Sequence, residues 1–193
     1  MSKLIIIGAG GHGKVVADAA ACEYVFVDQQ ANVQEGVHAM KELSSLQSSD
    51  HQMIVGIGNN ETRLQVLAGL RNVATIIHKD ASVSSTTSLG EGTVVFAQAA
   101  INPDTSIGRG CIINTGATVD HDCKLDDGVH ISPGAHVGGG VSIGNCSWIG
   151  IGASVKHGVT IGKNVTVGAG AAVVSDIPDN ATVVGVPAKE ITL

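Results

Sequence analysis

A histidine flanked by two carboxylates stands in the middle of the chain, where the sequence reads VDHDC from Val119 to Cys123. Histidine is the side chain whose ordinary pKa lies nearest neutral pH, which makes it the usual general base in enzymes. A carboxylate beside an imidazole stabilises the protonated form and so raises the pKa of the histidine. The run Asp120–His121–Asp122 therefore predicts a basic imidazole, with His121 as the candidate catalytic residue.

A glycine-rich stretch near the start of the chain is the second candidate site. In IIIGAGGHGKVV, residues 5–16, Gly8, Gly10 and Gly13 have the spacing G-x-G-x-x-G directly after an apolar run. In the dinucleotide-binding fingerprint of this spacing, backbone N–H groups at a helix start hold a diphosphate. Asp28 ends the second predicted strand, near the offset at which an acid holds a ribose. The stretch predicts an NAD site, a mononucleotide site, or a tight turn that binds nothing.

The elements that would position this stretch alternate strand and helix over residues 3–75. Strands are predicted in KLIIIG, YVFVD and QMIVGIG, and helices in GKVVADAAA, VHAMKELSSL and NETRLQVLAGLR, the last capped by Asn60. A segment of this length leaves room for one mononucleotide-binding half of a full dinucleotide fold. We therefore expect residues 1–76 to form an α/β half-Rossmann domain that holds a single nucleotide.

A strict period of six residues begins at Ile77 and continues to Val173. Every sixth residue is Ile, Val or Leu through seventeen consecutive hexads, and a small or β-branched residue follows four positions later. Chance does not give such a run when roughly one residue in four is aliphatic. Glycine often follows the aliphatic residue directly, which predicts a turn eased by glycine. The period predicts a parallel β-helix over residues 77–178, followed by a short tail at 179–193.

The motifs GAGGHG and VGIGNN, the hexads, and GVPAK near the end of the chain together resemble those of the hexapeptide-repeat sugar acetyltransferases. That family includes N-acetyltransferases of UDP-4-amino-sugars and sialic acid O-acetyltransferases, and the resemblance extends over nearly the whole chain. It implies triangular coils of three hexads, wound left-handed against the usual crossover rule. It also implies a homotrimer, with acetyl-CoA as co-substrate in the groove between neighbouring prisms.

The resemblance implies a role for each candidate residue. His121 is the general base of a direct acetyl transfer, and Asp122 is the acid that supports it. The acceptor is the 4-amino group of a UDP-linked 4-amino-4,6-dideoxy sugar, so the glycine turn holds a UDP-sugar rather than NAD; a sialic acid O-acetyltransferase is the alternative. The residues expected to bind the nucleotide-sugar are Gly11, His12, Gly13, Asp28, Gly58 and Asn114. The residues expected to line the acetyl-CoA groove are His130, Gly139, Ile151 and Ala169.

Coils of three hexads would stack residues 18 apart, which places His121 over Gly139. The missing side chain predicts a hole beside the base, where a thioester could lie against the Gly139 N–H; the alternative is a turn eased by glycine. His130 is half a coil away from His121, so the two side chains project from opposite sides of one prism. They could meet only across a subunit boundary, which predicts active sites between subunits.

Two functions of other classes stay open. Some hexapeptide coils bind zinc through three histidines, as in γ-type carbonic anhydrases, and His130, His136 and His157 are the candidates here. Against this, His130 and His136 are one hexad apart and therefore on different faces, and we expect no metal. The second alternative is a scaffold without catalytic activity. Metal in the purified protein would favour the first, and failure to bind acetyl-CoA the second.

Charge and hydropathy argue against several partners. The net charge is −6 without a basic run, which argues against nucleic acid, and no apolar stretch is long enough to span a bilayer. The first residues do not have the pattern of a secretory signal. The four cysteines Cys22, Cys111, Cys123 and Cys146 form no C-x-x-C pair. We expect a cytoplasmic protein whose cysteines are small buried residues.

Overall fold

The computed structural model describes residues 3–29, 37–47 and 50–192, which form a small α/β unit followed by a three-sided β-helix. The α/β unit contains the strands β1 Leu4–Ile7, β2 Tyr24–Asp28, β3 Val37–Ala39 and β4 Gln52–Val55. Its helices are α1 Gly11–Ala20, α2 Leu43–Gln47 and α3 Asn60–Ala68. Among the residues described, none of the helices combines the length and the apolar character needed to cross a membrane.

The sheet of the α/β unit is covered on both faces. Its four strands are parallel, in the order β3-β2-β1-β4. One face packs against α1 and the β-helix, and the other against α2 and α3. This explains the continuous apolar runs of β1 and β4, since a parallel strand covered on both faces needs apolar side chains on both. The strand order reverses beside β1, so the carboxyl ends of β1, β2 and β4 form the crevice typical of nucleotide-binding folds.

Two local predictions in this unit are wrong. Asn59, not Asn60, caps α3, because the Asn59 side-chain oxygen accepts the Thr62 N–H at 2.9 Å. Asn60 instead donates to the Cys146 carbonyl oxygen of the β-helix at 2.9 Å, since α3 begins where the two units meet. The segment predicted as a helix from Val37 onward begins with β3, because pairing with β2 at the sheet edge outweighs helix propensity there.

The β-helix has three faces, each a parallel sheet with one strand per coil. Face 1 contains β5 Ile76–Ile77, β8 Val94–Val95, β11 Ile112–Ile113, β14 His130–Ile131, β17 Trp148–Ile149, β20 Thr166–Val167 and β22 Thr182–Val184. Face 2 contains β6 Ser82–Val83, β9 Ala100–Ile101, β12 Thr118–Val119, β15 His136–Val137, β18 Ser154–Val155 and β21 Ala172–Val173. Face 3 contains β7 Ser88–Leu89, β10 Ser106–Ile107, β13 Lys124–Leu125, β16 Ser142–Ile143 and β19 Thr160–Ile161.

The predicted hexads and their stacking three to a coil are confirmed. Each strand pairs with the strand one coil on in constant register, as Ile77 opposite Val95 and Val137 opposite Val155. The aliphatic residue of nearly every hexad points inward and is buried, together with the small residue four positions later. Of the four cysteines, two are buried at such small positions as predicted, but Cys22 is exposed and Cys146 is half-buried.

Glycine serves two different purposes in the coils. The third residue after the aliphatic position has a positive φ, a region that favours glycine, asparagine and aspartate; Gly140 has φ 68° and Asp122 has φ 57°. The glycine directly after the aliphatic residue is needed for close approach. At Gly138, a Cβ would lie 2.7 Å from the His157 backbone nitrogen of the next coil. The prediction that this glycine eases the turn is therefore corrected.

The side chain of Arg63 joins the two units. It is 1% exposed and donates from Nε to the Gly110 carbonyl oxygen at 2.6 Å and from Nη2 to the Gly128 carbonyl oxygen at 2.8 Å, on two successive coils. Nη1 donates to the Gly58 carbonyl oxygen at 2.9 Å, and Nη2 also to Asn60 Oδ1. Burial lowers the pKa of Arg63 to about 10, so the guanidinium stays charged at neutral pH. One cation therefore holds the loop before α3 against the β-helix.

We expect Arg63→Met to destabilise the protein by about 2–4 kcal/mol, because buried carbonyl oxygens lose their donors while the apolar stem keeps its packing. The lowered midpoint of thermal unfolding measures this. Arg109→Met is the matched control. Arg109 is exposed and pairs with Glu91 at 3.4 Å, so its loss should change stability by about 0.5 kcal/mol or less. Equal midpoints for the two variants would contradict the role given to Arg63.

The end of the chain closes the last coil. β22, in the segment predicted as a tail, adds a strand to face 1, with Thr182 opposite Thr166. The strand β23 Lys189–Glu190 then runs antiparallel to β22. On face 2, the Ala188 N–H donates to the Ala172 carbonyl oxygen at 2.7 Å. On face 3, a bridge to Ile177 follows the last strand. The final strand of every face thus has a partner.

Candidate active site

His121 lies on the turn after β12, at the corner between faces 2 and 3. The positive φ of Asp122 turns its carboxylate back, and Asp122 Oδ2 lies 2.7 Å from His121 Nδ1. The His121 N–H donates to Asp120 Oδ1 at 2.9 Å, an oxygen that also accepts from Asn102 at 2.6 Å. The hydrogen bond to Asp122, with the charge of Asp120, raises the pKa of His121. The geometry is that of an exposed, carboxylate-supported imidazole with Nε2 directed away from its support.

Gly139 lies against this imidazole, one coil further on. A Cβ at Gly139 would be 2.7 Å from His121 Nε2 and 2.8 Å from Cε1. The predicted hole beside the base is therefore wrong, because the ring itself occupies the space left by the missing side chain. Within the part of the chain that the structure describes, the Gly139 N–H has no hydrogen-bond partner. The Gly139 backbone thus lies against the imidazole, and its N–H is unpaired in the described ranges.

His130, predicted to line the acetyl-CoA groove between subunits, is largely covered within its own chain. It lies in β14 on face 1, beneath the α/β unit, and is 8% exposed. Trp148 of the next coil stacks on its ring, with centroids 5.7 Å apart and 5° between the planes. Burial, aided by the charges of Arg63 and His12, lowers the pKa of His130 to about 3. Face 1 is opposite the corner that carries His121, so the two histidines do project from opposite sides of the prism.

His12 lies where the glycine turn meets the β-helix. Its ring packs edge-on against Phe96, with centroids 5.5 Å apart. Burial and the charge of Arg63 lower the pKa of His12 to about 4. Its Nε2 is the one buried side-chain nitrogen or oxygen without a hydrogen-bond partner in the described ranges. His12 and His130 are near enough for their charges to interact, which brings a predicted sugar-binding residue beside a predicted acetyl-CoA residue.

The glycine turn has an open part and a packed part. Gly8 has φ 108°, and Gly13 is buried where a Cβ would collide with the Gly8 carbonyl oxygen. Gly11, the first residue of α1, has open space where a side chain would stand. Asp28 Oδ2 accepts the Ala9 N–H at 2.8 Å and so holds the turn in place. The helix start therefore has room for a ligand at Gly11, whereas the missing side chain of Gly13 is needed for packing against Gly8.

Two clefts open along the carboxyl edge of the sheet. The first, of about 230 Å³, lies at the point where the strand order reverses, and is lined by Ile7, Gly8, Val27, Asp28, Gln29, Met40, Ile57, Thr62 and Val66. The second, of about 380 Å³, lies between the start of α3 and face 1, and is lined by Gly58, Asn59, Asn60, Glu61, Cys146, Trp148, Asn164 and Thr166. Asp28 and Gly58, both predicted to bind the nucleotide-sugar, thus line different clefts.

Ile151 and Ala169 lie on successive coils at the corner between faces 1 and 2. The Gly170 N–H donates to the Ile151 carbonyl oxygen at 2.8 Å, and Ile151 is 61% exposed. This corner and the corner of His121 flank face 2 on its two sides. Within the strands of face 2, the outward side chains are small and uncharged apart from one histidine: Ser82, Ala100, Thr118, His136, Ser154 and Ala172.

The three histidines considered as zinc ligands are not grouped in this chain. His130 is on face 1, His136 is on face 2, and His157 is on the corner between faces 2 and 3. Over residues 3–29, 37–47 and 50–192, there is no group of three or more histidine, cysteine, aspartate or glutamate side chains that could hold a metal ion.

Family profiles match both units of the chain. The PglD N-terminal domain matches residues 3–70, and the bacterial transferase hexapeptide (six repeats) matches residues 104–139 and 140–174. No curated protein sequence matches the chain significantly.

The chain is similar to solved structures over almost its full length. The acetyltransferase domain of PglB from Neisseria gonorrhoeae FA1090 is 44% identical, with a TM-score of 0.92, over 99% of this chain and 100% of that one. PerB from Caulobacter crescentus, in complex with CoA and GDP-perosamine, is 40% identical, with a TM-score of 0.94, over 100% and 98%. The chain belongs to the hexapeptide-repeat sugar acetyltransferases.

The acetyltransferase has the fold that its sequence predicts, a half-Rossmann unit followed by a left-handed β-helix. The predicted co-substrate, acetyl-CoA, is also confirmed, since the PglB domain is solved with acetyl coenzyme A and PerB with CoA. Family membership favours acetyl transfer over both the zinc hydrolyase and the inactive scaffold.

Sequence reasoning missed two residues at this site in the acetyltransferase. Arg63 lies in a segment with a helical pattern, and a single arginine in such a segment is expected to be a solvated surface residue. Trp148 is the one tryptophan of the chain and takes the outward position of its hexad, immediately before Ile149. The sequence signal for this contact was the spacing: Trp148 is 18 residues after His130 and also takes an outward position. Residues 18 apart lie on successive coils, so the two rings can stack.

Proposed function

We propose that this acetyltransferase transfers the acetyl group of acetyl-CoA to the 4-amino group of a nucleotide-linked 4-amino-4,6-dideoxy sugar, with His121 as the general base. The hydrogen-bonded pair of His121 and Asp122 is the observation that carries the proposal, because it supplies a supported imidazole with one free nitrogen. The mononucleotide-sized α/β unit supports a nucleotide-linked acceptor. So do the relatives, of which PerB is solved with GDP-perosamine.

The proposed transfer proceeds in one attack without a covalent enzyme intermediate. The His121 Nδ1–H donates to Asp122, which leaves the Nε2 lone pair to take a proton from the sugar ammonium. The resulting amine attacks the thioester carbonyl carbon, and a C–N bond forms as the carbonyl oxygen gains negative charge. The free Gly139 N–H is the proposed donor to that oxygen. Collapse of the tetrahedral intermediate breaks the C–S bond. The nitrogen gives its second proton to the departing CoA thiolate, and His121 returns the first proton to solvent.

The proposed assembly is a homotrimer in which face 2 of each prism is directed at the threefold axis. The outward side chains of its strands, which are small and uncharged apart from His136, support this, since they allow close packing of three flat sheets. Face 2 is flanked by the corner of His121 and by the corner of Ile151 and Ala169. Rotation about the axis then brings the His121 corner of one chain to the Ile151 and Ala169 corner of the next chain. Asn114 and His130 of that next chain lie beside this second corner. The groove between them is the proposed acetyl-CoA site.

The nucleotide is proposed to lie along the carboxyl edge of the sheet. Backbone N–H groups at Gly11 and His12 would hold the diphosphate, and the cleft lined by Asp28 lies within the same edge. UDP is the proposed carrier, and GDP is the second candidate because PerB is bound to GDP-perosamine.

Calorimetry should show binding of a UDP-sugar to the acetyltransferase and no binding of NAD. One mononucleotide unit offers sites for one nucleotide, whereas NAD needs two. The calorimetric panel consists of UDP, GDP, NAD and the UDP- and GDP-linked amino-sugars. Turnover of the same amino-sugars with acetyl-CoA identifies the acceptor. Tight binding of NAD without a response to either nucleoside diphosphate would overturn the assignment of the α/β unit. Turnover of free sialic acid in place of any nucleotide amino-sugar would favour O-acetylation.

A further inference from the structure

The side-chain amide of Asn114 has one possible orientation. Its Oδ1 accepts the Thr115 backbone N–H at 2.9 Å, and its Nδ2 lies 3.0 Å from His130 Nε2. In the opposite orientation, the amide nitrogen would face the Thr115 N–H, so that two donors would meet and one hydrogen bond would be lost. The backbone of Thr115 therefore fixes the amide nitrogen toward His130.

This orientation determines where the proton of His130 lies. An amide nitrogen only donates, so His130 Nε2 must accept and can carry no hydrogen. Arg63 and His12 are the cationic or titratable groups nearest to the ring from the α/β unit, and Trp148 covers it from β17. Burial next to the permanent charge of Arg63 opposes a second proton. A neutral imidazole whose Nε2 is an acceptor carries its hydrogen on Nδ1.

The Nδ1–H of His130 is left available to a ligand. It has no hydrogen-bond partner in the part of the chain that the structure describes, and it is not among the fully enclosed polar atoms there. Trp148 is held in place by its own hydrogen bond, from Nε1 to Ser132 Oγ at 2.6 Å, so the stacked ring keeps the orientation of His130. His130 therefore presents one fixed donor.

We propose that Asn114 is a positioning residue that holds His130 in the neutral Nδ1–H tautomer, so that His130 donates a hydrogen bond to an oxygen atom of a bound substrate. This rests on the proposed function for the identity of the substrates, but the tautomer itself does not depend on it. His130 is then a donor, not a second base, and Asn114 acts through His130 rather than by contact with the sugar. The two histidines of one composite site thus have opposite tasks: His121 accepts a proton, and His130 donates a hydrogen bond without losing one.

The tautomer can be measured directly on the intact protein without substrates. Long-range proton–nitrogen NMR spectra of protein labelled with ¹⁵N-histidine distinguish the forms, because Nε2 couples to both ring C–H protons and Nδ1 mainly to one. The His130 signals are identified by their absence in His130→Gln. We expect Nε2 at the position of an unprotonated nitrogen at pH 7, unchanged down to pH 5. Protonated Nε2, or an imidazolium at pH 6, would overturn the proposal.

Asn114→Asp tests the cause. A carboxylate only accepts, so the proton should move to His130 Nε2, and the NMR pattern should reverse. With the donor displaced, kcat should fall by about 10²-fold, the lower end of the loss of one transition-state donor. Asn145→Asp is the matched control: Asn145 Oδ1 accepts the Asp127 N–H at 2.9 Å on another corner, and a carboxylate keeps that bond. It should change neither the His130 spectrum nor kcat.

The outcomes separate the two levels of the proposal. An Nδ1–H tautomer in a protein that transfers no acetyl group to any amino-sugar would overturn the proposed function alone. An unchanged His130 pattern in Asn114→Asp would overturn the positioning role of Asn114. A reversed pattern with unchanged kcat would overturn the donor role of His130 and leave Asn114 as its structural partner.

Discussion

Replacement of His121 by alanine is expected to lower kcat by about 10²–10⁴-fold, the usual range for a lost general base. The sugar amine is protonated at neutral pH and cannot attack until a base removes its proton. The KM for acetyl-CoA should change little, since an exposed imidazole on the corner contributes more to the reaction than to binding. Steady-state kinetics at pH 7 measure both constants. Near-normal turnover by the variant would remove His121 from the mechanism.

His38→Ala is the matched control for this substitution. His38 also forms a hydrogen bond with a carboxylate, Glu42, at 2.7 Å, but it lies on the α/β unit, far from the corner. Loss of a supported histidine there should leave kcat within about twofold of the wild type. A large loss in both variants would indicate a general effect on the fold.

The pH profile gives a second reading of the same base. His121 must be neutral to accept a proton, so kcat/KM should rise with pH through the raised pKa of His121 and then level off. Asp122→Asn removes the carboxylate but suits the positive φ, which asparagine also adopts. In this variant the midpoint should move to lower pH, because the imidazolium loses its main support, and the plateau should fall with the weaker base. An unchanged midpoint would contradict the role of Asp122.

If the proposed trimer holds its active sites between subunits, activity should be recovered when two impaired variants exchange subunits. His121→Ala disables one corner of each chain, and His130→Ala disables the opposite side. If each site combines His121 of one chain with His130 of the next, about one quarter of the interfaces in an equal random mixture pair two wild-type sides. Activity should therefore rise from near zero to about a quarter of the wild-type value after subunit exchange.

The mixture is informative because a site within one chain gives a different result. In that case every site carries one of the two substitutions, and no mixture can exceed its better parent. Exchange is followed by mass spectrometry of differently labelled chains, and His130→Ala must be clearly impaired by itself. Proven exchange without recovery would contradict the shared site.

The β-helix could be predicted in detail because each hexad position has the same surroundings in every coil. Val95 and Ile113 lie inward for the same reason, and one observation of period six places all the strands. The opposed positions of His121 and His130 follow from this regularity. The supporting carboxylate of Asp122 also follows from its hexad position, since the third residue after the aliphatic one has a positive φ.

The contacts between the two units could not be predicted, because no period relates them. Arg63 is held by hydrogen bonds to carbonyl oxygens on coils that are far away in the sequence, and Asn60 donates to the carbonyl oxygen of Cys146. The burial of His130 likewise depends on how the α/β unit lies over face 1. The hole expected at Gly139 was wrong for a simpler reason: spacing places residues on neighbouring coils but does not give the direction in which a ring lies.

The pairing of the last coil bears on whether copies of the protein can stack end to end at high concentration. A stack of parallel coils ends in unpaired backbone groups on all three sheets, which is a template on which another copy could continue the stack and grow a fibre. Here later residues pair with each of those edges: β23 runs antiparallel to β22 on face 1, the Ala188 N–H donates to the Ala172 carbonyl oxygen on face 2, and Ile177 forms a parallel bridge with Ile161 on face 3. Residues 177–190 thus cover the backbone edges at this end of the β-helix, which would oppose the stacking of a second copy on it.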